Sequence, residues 1–152
     1  VIAVIGDCIH SRVCHSMVEL FPLFGARLIF CGPSGCLPAK SPHPQVELCS
    51  SLEETVARSD LLYLLRVQKE RHKKFGGSAF FSDYPITHGL NLKKLKEFGR
   101  NLPVYHPGPA NVGVEISLDL IKSNLYMGYS QVKHSIYMRM AIIHAMLGQE
   151  FQ

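Results

Sequence analysis

Leu61-Leu62-Tyr63-Leu64-Leu65-Arg66-Val67-Gln68 carries five apolar residues straight into an arginine. A short, uninterrupted apolar run suits a strand buried on both faces, the kind that a parallel sheet demands. Packing gives no reason for Arg66 at its end. A guanidinium with a glutamine two residues on is a donor set suited to a carboxylate.

The same reading extends outward. Val1 to Ile5 is a second apolar, β-branched run, and it breaks at Gly6-Asp7. After Ser11, apolar residues recur at Val13, Met17, Leu20, Phe21 and Phe24, which is helical spacing. Pro22 predicts that this helix ends or kinks near Leu20. Ala26 to Cys31 predicts a second strand, and Val46 to Cys49 a short third one. Ser50 or Ser51 can cap the next helix, whose first turn holds Glu53 and Glu54 against the positive dipole end. From Gln68 to Pro85 the pattern dissolves into a long loop. Thr87 is expected to cap a helix through Phe98, with Leu92, Leu95 and Phe98 inward and Lys93, Lys94 and Lys96 outward. Val104-Tyr105 predicts a short strand stopped by His106-Pro107. Leu118 to Ile121 predicts one or two helical turns. Ser130 to Leu147 predicts a helix with Ile136, Met140, Ile143 and Leu147 on one stripe.

Strand and helix in alternation predict an α/β fold: a three-layer, doubly wound domain with a mainly parallel sheet, 1–152 forming a single domain. Ligands of such sheets bind beyond the carboxyl ends of the strands. Arg12, the Arg66/Gln68 pair and the His106-Pro107-Gly108-Pro109 turn each follow a predicted strand, so all are expected on one sheet edge. The two prolines of that turn lack N–H groups, so it presents backbone carbonyls, suited to an amide or amine N–H.

Composition excludes several classes. The net charge is +4 with scattered Lys and Arg, not the basic, aromatic-interleaved stripe of a nucleic-acid binder. No run approaches the ~18 apolar residues of a membrane span. The chain opens at Val1 inside an apolar run with no readable secretory leader, so the expectation is a piece cut from a longer protein at a domain boundary. Five cysteines without Cys-x-x-Cys point to free thiols in a reducing cytoplasm. The spacing of Cys8, His10, Cys14 and His15 matches no zinc pattern, and no metal site is expected. Asp7 is read as a local hydrogen-bonding or capping residue. The Gly-x-Gly-x-x-Gly and Walker patterns are absent, which sets aside a generic nucleotide-binding domain.

Gly6-Asp7-x-x-His10-Ser11-Arg12-Val13, Leu64-Leu65-Arg66-Val67-Gln68-Lys69-Glu70-Arg71 and His106-Pro107-Gly108-Pro109-x-Asn111-x-Gly113-Val114-Glu115-Ile116 together resemble the aspartate carbamoyltransferase catalytic chain. Tyr137-Met138-Arg139-Met140-Ala141 extends the resemblance through the last helix. It covers only the second, L-aspartate-binding half of that family; the carbamoyl phosphate domain with its Ser-x-Arg-Thr loop is not in this sequence. The resemblance implies a cytoplasmic transferase of pyrimidine biosynthesis. Such an enzyme moves the carbamoyl group of carbamoyl phosphate to L-aspartate, giving N-carbamoyl-L-aspartate and phosphate. It implies that Arg12 and Arg66, assisted by Gln68, bind the aspartate carboxylates, and that Pro107, Gly108 and Pro109 hold the carbamoyl amide. The loop after Gln68 resembles the family's mobile loop. The resemblance also implies a homotrimer and no cofactor, the work being positioning and charge stabilisation. It assigns no catalytic residue with certainty to this half, and the half alone is expected to be inactive. The sister ornithine enzymes carry a His-Cys-Leu-Pro turn, so His106-Pro107-Gly108-Pro109 points to aspartate.

Three positions depart from the family pattern: Ile9 replaces a lysine, His15 an arginine and Val112 an arginine. Loss of one desolvated charge contact costs about 2–5 kcal/mol of binding. A catalytically impaired relative kept for assembly or regulation is the second reading.

Overall fold

The computed structural model describes residues 1–67 and 83–148. Among them, strands β1 (Ile2–Ile5), β2 (Leu28–Cys31), β3 (Val46–Cys49), β4 (Leu61–Leu64) and β5 (Val104–Tyr105) form one sheet, in the order β3-β2-β1-β4-β5. Every pairing is parallel. The register sets Ile5 beside both Cys31 and Leu64, so β1, β2 and β4 end level with one another.

The helices are α1 (Arg12–Leu20), α2 (Leu52–Ala57), α3 (83–87), α4 (Leu92–Glu97), α5 (Leu118–Ile121) and α6 (Gly128–Met146). Helix α1 stops where Pro22 predicts, passing into a 3-10 turn, Phe21–Phe24, that Gly25 closes in a left-handed conformation. Ser51 caps α2 by accepting the Glu54 N–H at 3.2 Å.

The strands alternate between two cores, as doubly buried strands must. Ala3, Ile5, Leu62 and Leu64 face α2, α4 and α5 through Val56, Leu95 and Leu120. Val4, Leu28, Phe30 and Leu65 face the other way, onto Cys14 and Met17 of α1. Burying each such large side chain contributes roughly 1.5–3 kcal/mol.

Two expectations need correction. Thr87 does not cap a helix through Phe98; it is the last residue of α3, and its hydroxyl donates to the Asp83 carbonyl at 3.0 Å. The cap of α4 is Asn91, whose Oδ1 accepts the Lys94 N–H at 2.8 Å. Nor does Lys94 point outward. Its ammonium folds back onto the carbonyls of Pro85, Ile86 and Gly89, at 3.2, 2.6 and 2.7 Å. The residues before Asp83 in the expected long loop lie outside the described residues.

Helix α6 mixes apolar and polar side chains with no segregated apolar face. Nine of its large apolar side chains are more than half exposed, and Gly128 is its one buried residue. It is tied to the sheet at its start, where the Met127 N–H donates to the Val104 carbonyl and Gln131 to the Tyr63 hydroxyl. No described helix is long and apolar enough to cross a membrane.

Candidate functional site

After β1 the chain crosses to β2 on one side, and after β4 to β5 on the other. The strand order therefore reverses between β1 and β4. Beyond their carboxyl ends lies the crevice where open α/β sheets bind ligands. Two sequence-predicted residues leave from those two ends.

The exit from β1 is tightly built. Gly6 has φ +135°, and a Cβ there would sit 2.9 Å from the Leu65 Cβ, so a side chain is excluded by both conformation and space. Buried Asp7 makes the local hydrogen bond that the sequence allowed, accepting the His10 N–H at 3.2 Å and facing the His10 Nδ1 at 2.9 Å, while the cap of α1 is Ser11. The Cys36 carbonyl accepts the N–H groups of Cys8 and Ile9, at 2.9 and 3.2 Å. Ser11 then caps α1 through the Cys14 N–H. This sequence of turns delivers Arg12 to the first position of the helix, where it is exposed.

The exit from β4 continues the ladder for one residue, the Leu65 N–H donating to the Ile5 carbonyl at 2.8 Å. Arg66 follows, half-buried. Gln68 and the loop after it lie outside the described residues.

The exit from β5 is the His106 to Pro109 turn. Pro107, Gly108 and Pro109 are exposed, and the Gly108–Pro109 peptide is cis. Gly108 N–H donates to His106 Nδ1 at 2.9 Å. That leaves the imidazole proton on Nε2, which faces Glu115 Oε1 at 3.3 Å, off the line of a good hydrogen bond. Both side chains are fully buried. Glu115 also accepts the Asn111 N–H at 2.6 Å and faces Asn111 Nδ2 at 3.3 Å. Asn111 Nδ2 in turn donates to the Val67 carbonyl at 3.0 Å. A single buried set thus ties the turn to the strand end that carries Arg66. Sequence reading assigned no role to His106, Glu115 or Asn111. Its available signal was a carboxylate between Val114 and Ile116, a place where burial requires partners.

Behind these exits sits Tyr84, 1% exposed, its hydroxyl 3.3 Å from where a Gly6 Cβ would lie. Burial pushes its phenol well up, with Cys36 and Glu115 adding to the effect. Burial likewise raises the Cys31 thiol to about 11 and the Cys36 thiol to about 12. Cys8 is raised by its hydrogen bond with Cys14 and then by burial. These thiols are neutral fillers of the strand ends, not nucleophiles.

Two other cavities lie apart from this edge's centre. One of about 530 Å³ between α1 and the 33–42 segment is lined by Ile9, His15, Val18, Phe30 and Pro38. Two of the three departures from the family pattern thus share one apolar hollow beside the site, while Val112 is exposed on the turn after Pro109. A second cavity, about 630 Å³, is at the amino-terminal edge around Arg27, Glu47 and Arg58, where Arg58 is paired with Glu47 and Glu54. It lies at the amino-terminal ends of the strands, away from their carboxyl ends, and its Arg58 is already neutralised.

The structure therefore brings Arg12, Arg66 and the Pro107–Pro109 turn to one edge, at the ends of three adjacent strands. Two guanidinium forks can bind two carboxylates, and the turn's exposed carbonyls can accept from an amide.

Comparison with known proteins agrees with this architecture. Residues 1–146 match the family model described as aspartate/ornithine carbamoyltransferase, Asp/Orn binding domain. The aspartate carbamoyltransferase catalytic subunit of Syntrophobacter fumaroxidans is 36% identical over 149 residues, covering 98% of this chain and 48% of its own length. The catalytic subunit of M. Jannaschii aspartate transcarbamoylase superposes with a TM-score of 0.77 at 26% identity, over 93% of this chain and 47% of that one. Trypanosoma cruzi aspartate transcarbamoylase, solved with carbamoyl phosphate and aspartate, has a TM-score of 0.74 at 24% identity, over 93% and 48%. The chain spans about half the length of the curated relatives it matches.

Proposed function

Because the chain belongs to the aspartate/ornithine carbamoyltransferase family, matching its Asp/Orn-binding domain, we propose that it is the L-aspartate-binding half of an aspartate carbamoyltransferase. The observation that carries this reading is the exit of Arg12 and Arg66 from β1 and β4, on either side of the point where the strand order reverses. A dicarboxylate needs two cations, and the reversal supplies the crevice between them. Ornithine has one carboxylate and would leave one arginine unmatched.

In the reaction proposed, Arg12 and Arg66, with Gln68, hold the two carboxylates of aspartate. The His106 to Pro109 turn accepts hydrogen bonds from the carbamoyl amide, and the aspartate amine attacks the carbamoyl carbon as phosphate leaves. The domain contributes positioning and charge. The phosphate site belongs to the other half, the carbamoyl phosphate domain that the longer relatives have room for. Helix α6 is the surface we assign to that half: nine of its large apolar side chains are more than half exposed, and its charged side chains, Lys133 and Arg139, are basic, so an apolar surface with an acidic rim suits it. Pyrimidine synthesis in the cytoplasm by a trimer sharing its sites across subunits completes the proposal.

The test is formation of carbamoylaspartate by the intact protein. This domain alone is expected to give none. In the intact protein, Arg66→Ala and Arg12→Ala are each expected to raise the aspartate KM at least about thirtyfold, as loss of a charge-assisted pair implies. Absence of turnover together with absence of aspartate binding would overturn the reading and favour the impaired relative, to which Ile9, His15 and Val112 point.

A further inference from the structure

Lys94 is the third of the six residues of α4, and helical spacing alone predicts it outward. It nevertheless reaches back with all three of its N–H donors committed, at 2.6, 2.7 and 3.2 Å, to the carbonyls of Ile86, Gly89 and Pro85. Those carbonyls close the end of α3, a helix terminus whose acceptors have no partner within the helix. The clasp therefore fixes α3 from below.

What α3 carries explains why its position matters. Tyr84 is its large buried residue, and the Tyr84 carbonyl accepts the N–H groups of His88 and Gly89, at 2.8 and 2.7 Å. The Tyr84 hydroxyl reaches the narrow space where Gly6 and Leu65 meet. Gly6 begins the segment that ends at Arg12, and Leu65 immediately precedes Arg66. On its other side the same segment is stitched to the neighbourhood of the His106 turn. Leu90 N–H donates to the Glu115 carbonyl and Ser117 N–H to the Leu90 carbonyl, both at 3.0 Å. A Cβ on Gly89 would come within 2.5 Å of the Val114 carbonyl, so α3 has no slack there.

We propose that Lys94 is a positioning residue for the amino-acid site, acting through Tyr84 to set the spacing of the two strand exits that bear Arg12 and Arg66. The proposal rests on the reading of those arginines as the aspartate clamp. Lys94 itself touches no substrate. Its action is mechanical: the clasp holds α3, α3 holds Tyr84, and the Tyr84 hydroxyl sets how closely Gly6 and Leu65 approach.

The experiment compares Lys94→Met, Lys94→Arg and Lys93→Met in the intact protein, below the melting temperature of each. Lys93 is the exposed neighbour, and among the described residues its ion pair is a long one with Glu97, at 3.8 Å. Lys94→Met is expected to raise the aspartate KM about tenfold while the carbamoyl phosphate KM stays within about twofold, the split that misplacement of one substrate's ligands predicts. Lys94→Arg should restore the value to within about threefold, since a guanidinium can also donate to carbonyls. Lys93→Met should match the parent. An unchanged aspartate KM in Lys94→Met, even with a lowered melting temperature, would overturn the proposal and leave Lys94 a fold-stabilising residue. Should Lys94→Met fail to fold, Tyr84→Phe takes its place: a raised aspartate KM supports the proposal and an unchanged one overturns it. If the parent protein makes no carbamoylaspartate, the functional reading fails separately. The clasp is then read by amide hydrogen exchange at Cys8 and Leu65, which Lys94→Met should speed about tenfold or more and Lys94→Arg should not. Equal protection in all variants would overturn it.

Discussion

Asn111 and Val67 join two strand exits that are 44 residues apart in the chain: Asn111 Nδ2 donates to the Val67 carbonyl at 3.0 Å. The same amide faces Glu115, so one side chain spans from the buried carboxylate to the residue after Arg66. Substitution should strand both partners. Asn111→Ala is expected to destabilise the domain by about 1–3 kcal/mol, the range for leaving buried polar groups unsatisfied. Urea unfolding followed by circular dichroism measures it; a loss below about 0.5 kcal/mol, typical of surface positions, would show that the link carries no weight.

Gly6 and Gly25 both have positive φ, at +135° and +74°, yet only Gly6 is crowded. Gly25→Ala pays conformational strain alone, about 1–2 kcal/mol. Gly6→Ala adds a collision with Leu65 and Tyr84, and is expected to cost at least about 3 kcal/mol or to prevent folding. Thermal melts of the two variants side by side decide whether space or backbone strain governs the first turn.

His88 is buried against Thr87 and the Ser50 backbone, and burial lowers its pKa below the ordinary 6.5. The unfolded chain then takes up a proton before the folded one as pH falls. The His88 contribution to stability is fully present above pH 6.5 and is lost as pH drops below it towards the lowered folded value. The melting temperature should therefore fall as pH drops below 6.5, and His88→Gln should flatten that part of the curve. An identical pH profile in the variant would assign the fall to other groups.

Four of the five cysteines are buried, and Cys49 alone is partly exposed. With Cys31 and Cys36 pushed up to about 11 and 12, native protein at pH 8 should react quickly with one equivalent of a thiol reagent, at Cys49. Cys49→Ser should remove that fast phase, and denaturant should release the remaining thiols. A fast phase surviving in Cys49→Ser would mean that the strand ends open readily.

The sequence made the sheet legible because its strands are short apolar runs with sharp stops. Leu61 to Leu65 and Val1 to Ile5 are strands because both faces of a parallel sheet are buried, and each stop places an arginine-bearing segment on the ligand edge. The cap of α4 was misread since Thr87 and Asn91 are both short polar residues ahead of a leucine pattern. Lys94 was misplaced for a different reason. Helical periodicity fixes where a Cβ points, whereas a four-carbon stem can carry the ammonium back to another helix. The His106–Glu115–Asn111 set depends on a turn that brings residues 106, 111 and 115 together, a relationship that no local pattern encodes. Gln68 lies outside the described residues, so its place in the clamp rests on sequence alone.

Helix α6 makes the domain's completeness self-reporting. With nine large apolar side chains exposed and its hold on the sheet at its first turn, it has little reason to persist in water by itself. A chain that has not found its cover displays the kind of surface that promotes aggregation and attracts chaperones and proteases. If α6 is the joint we propose, the side chains that bind the other half would also mark an unassembled half for removal, making α6 a quality-control signal.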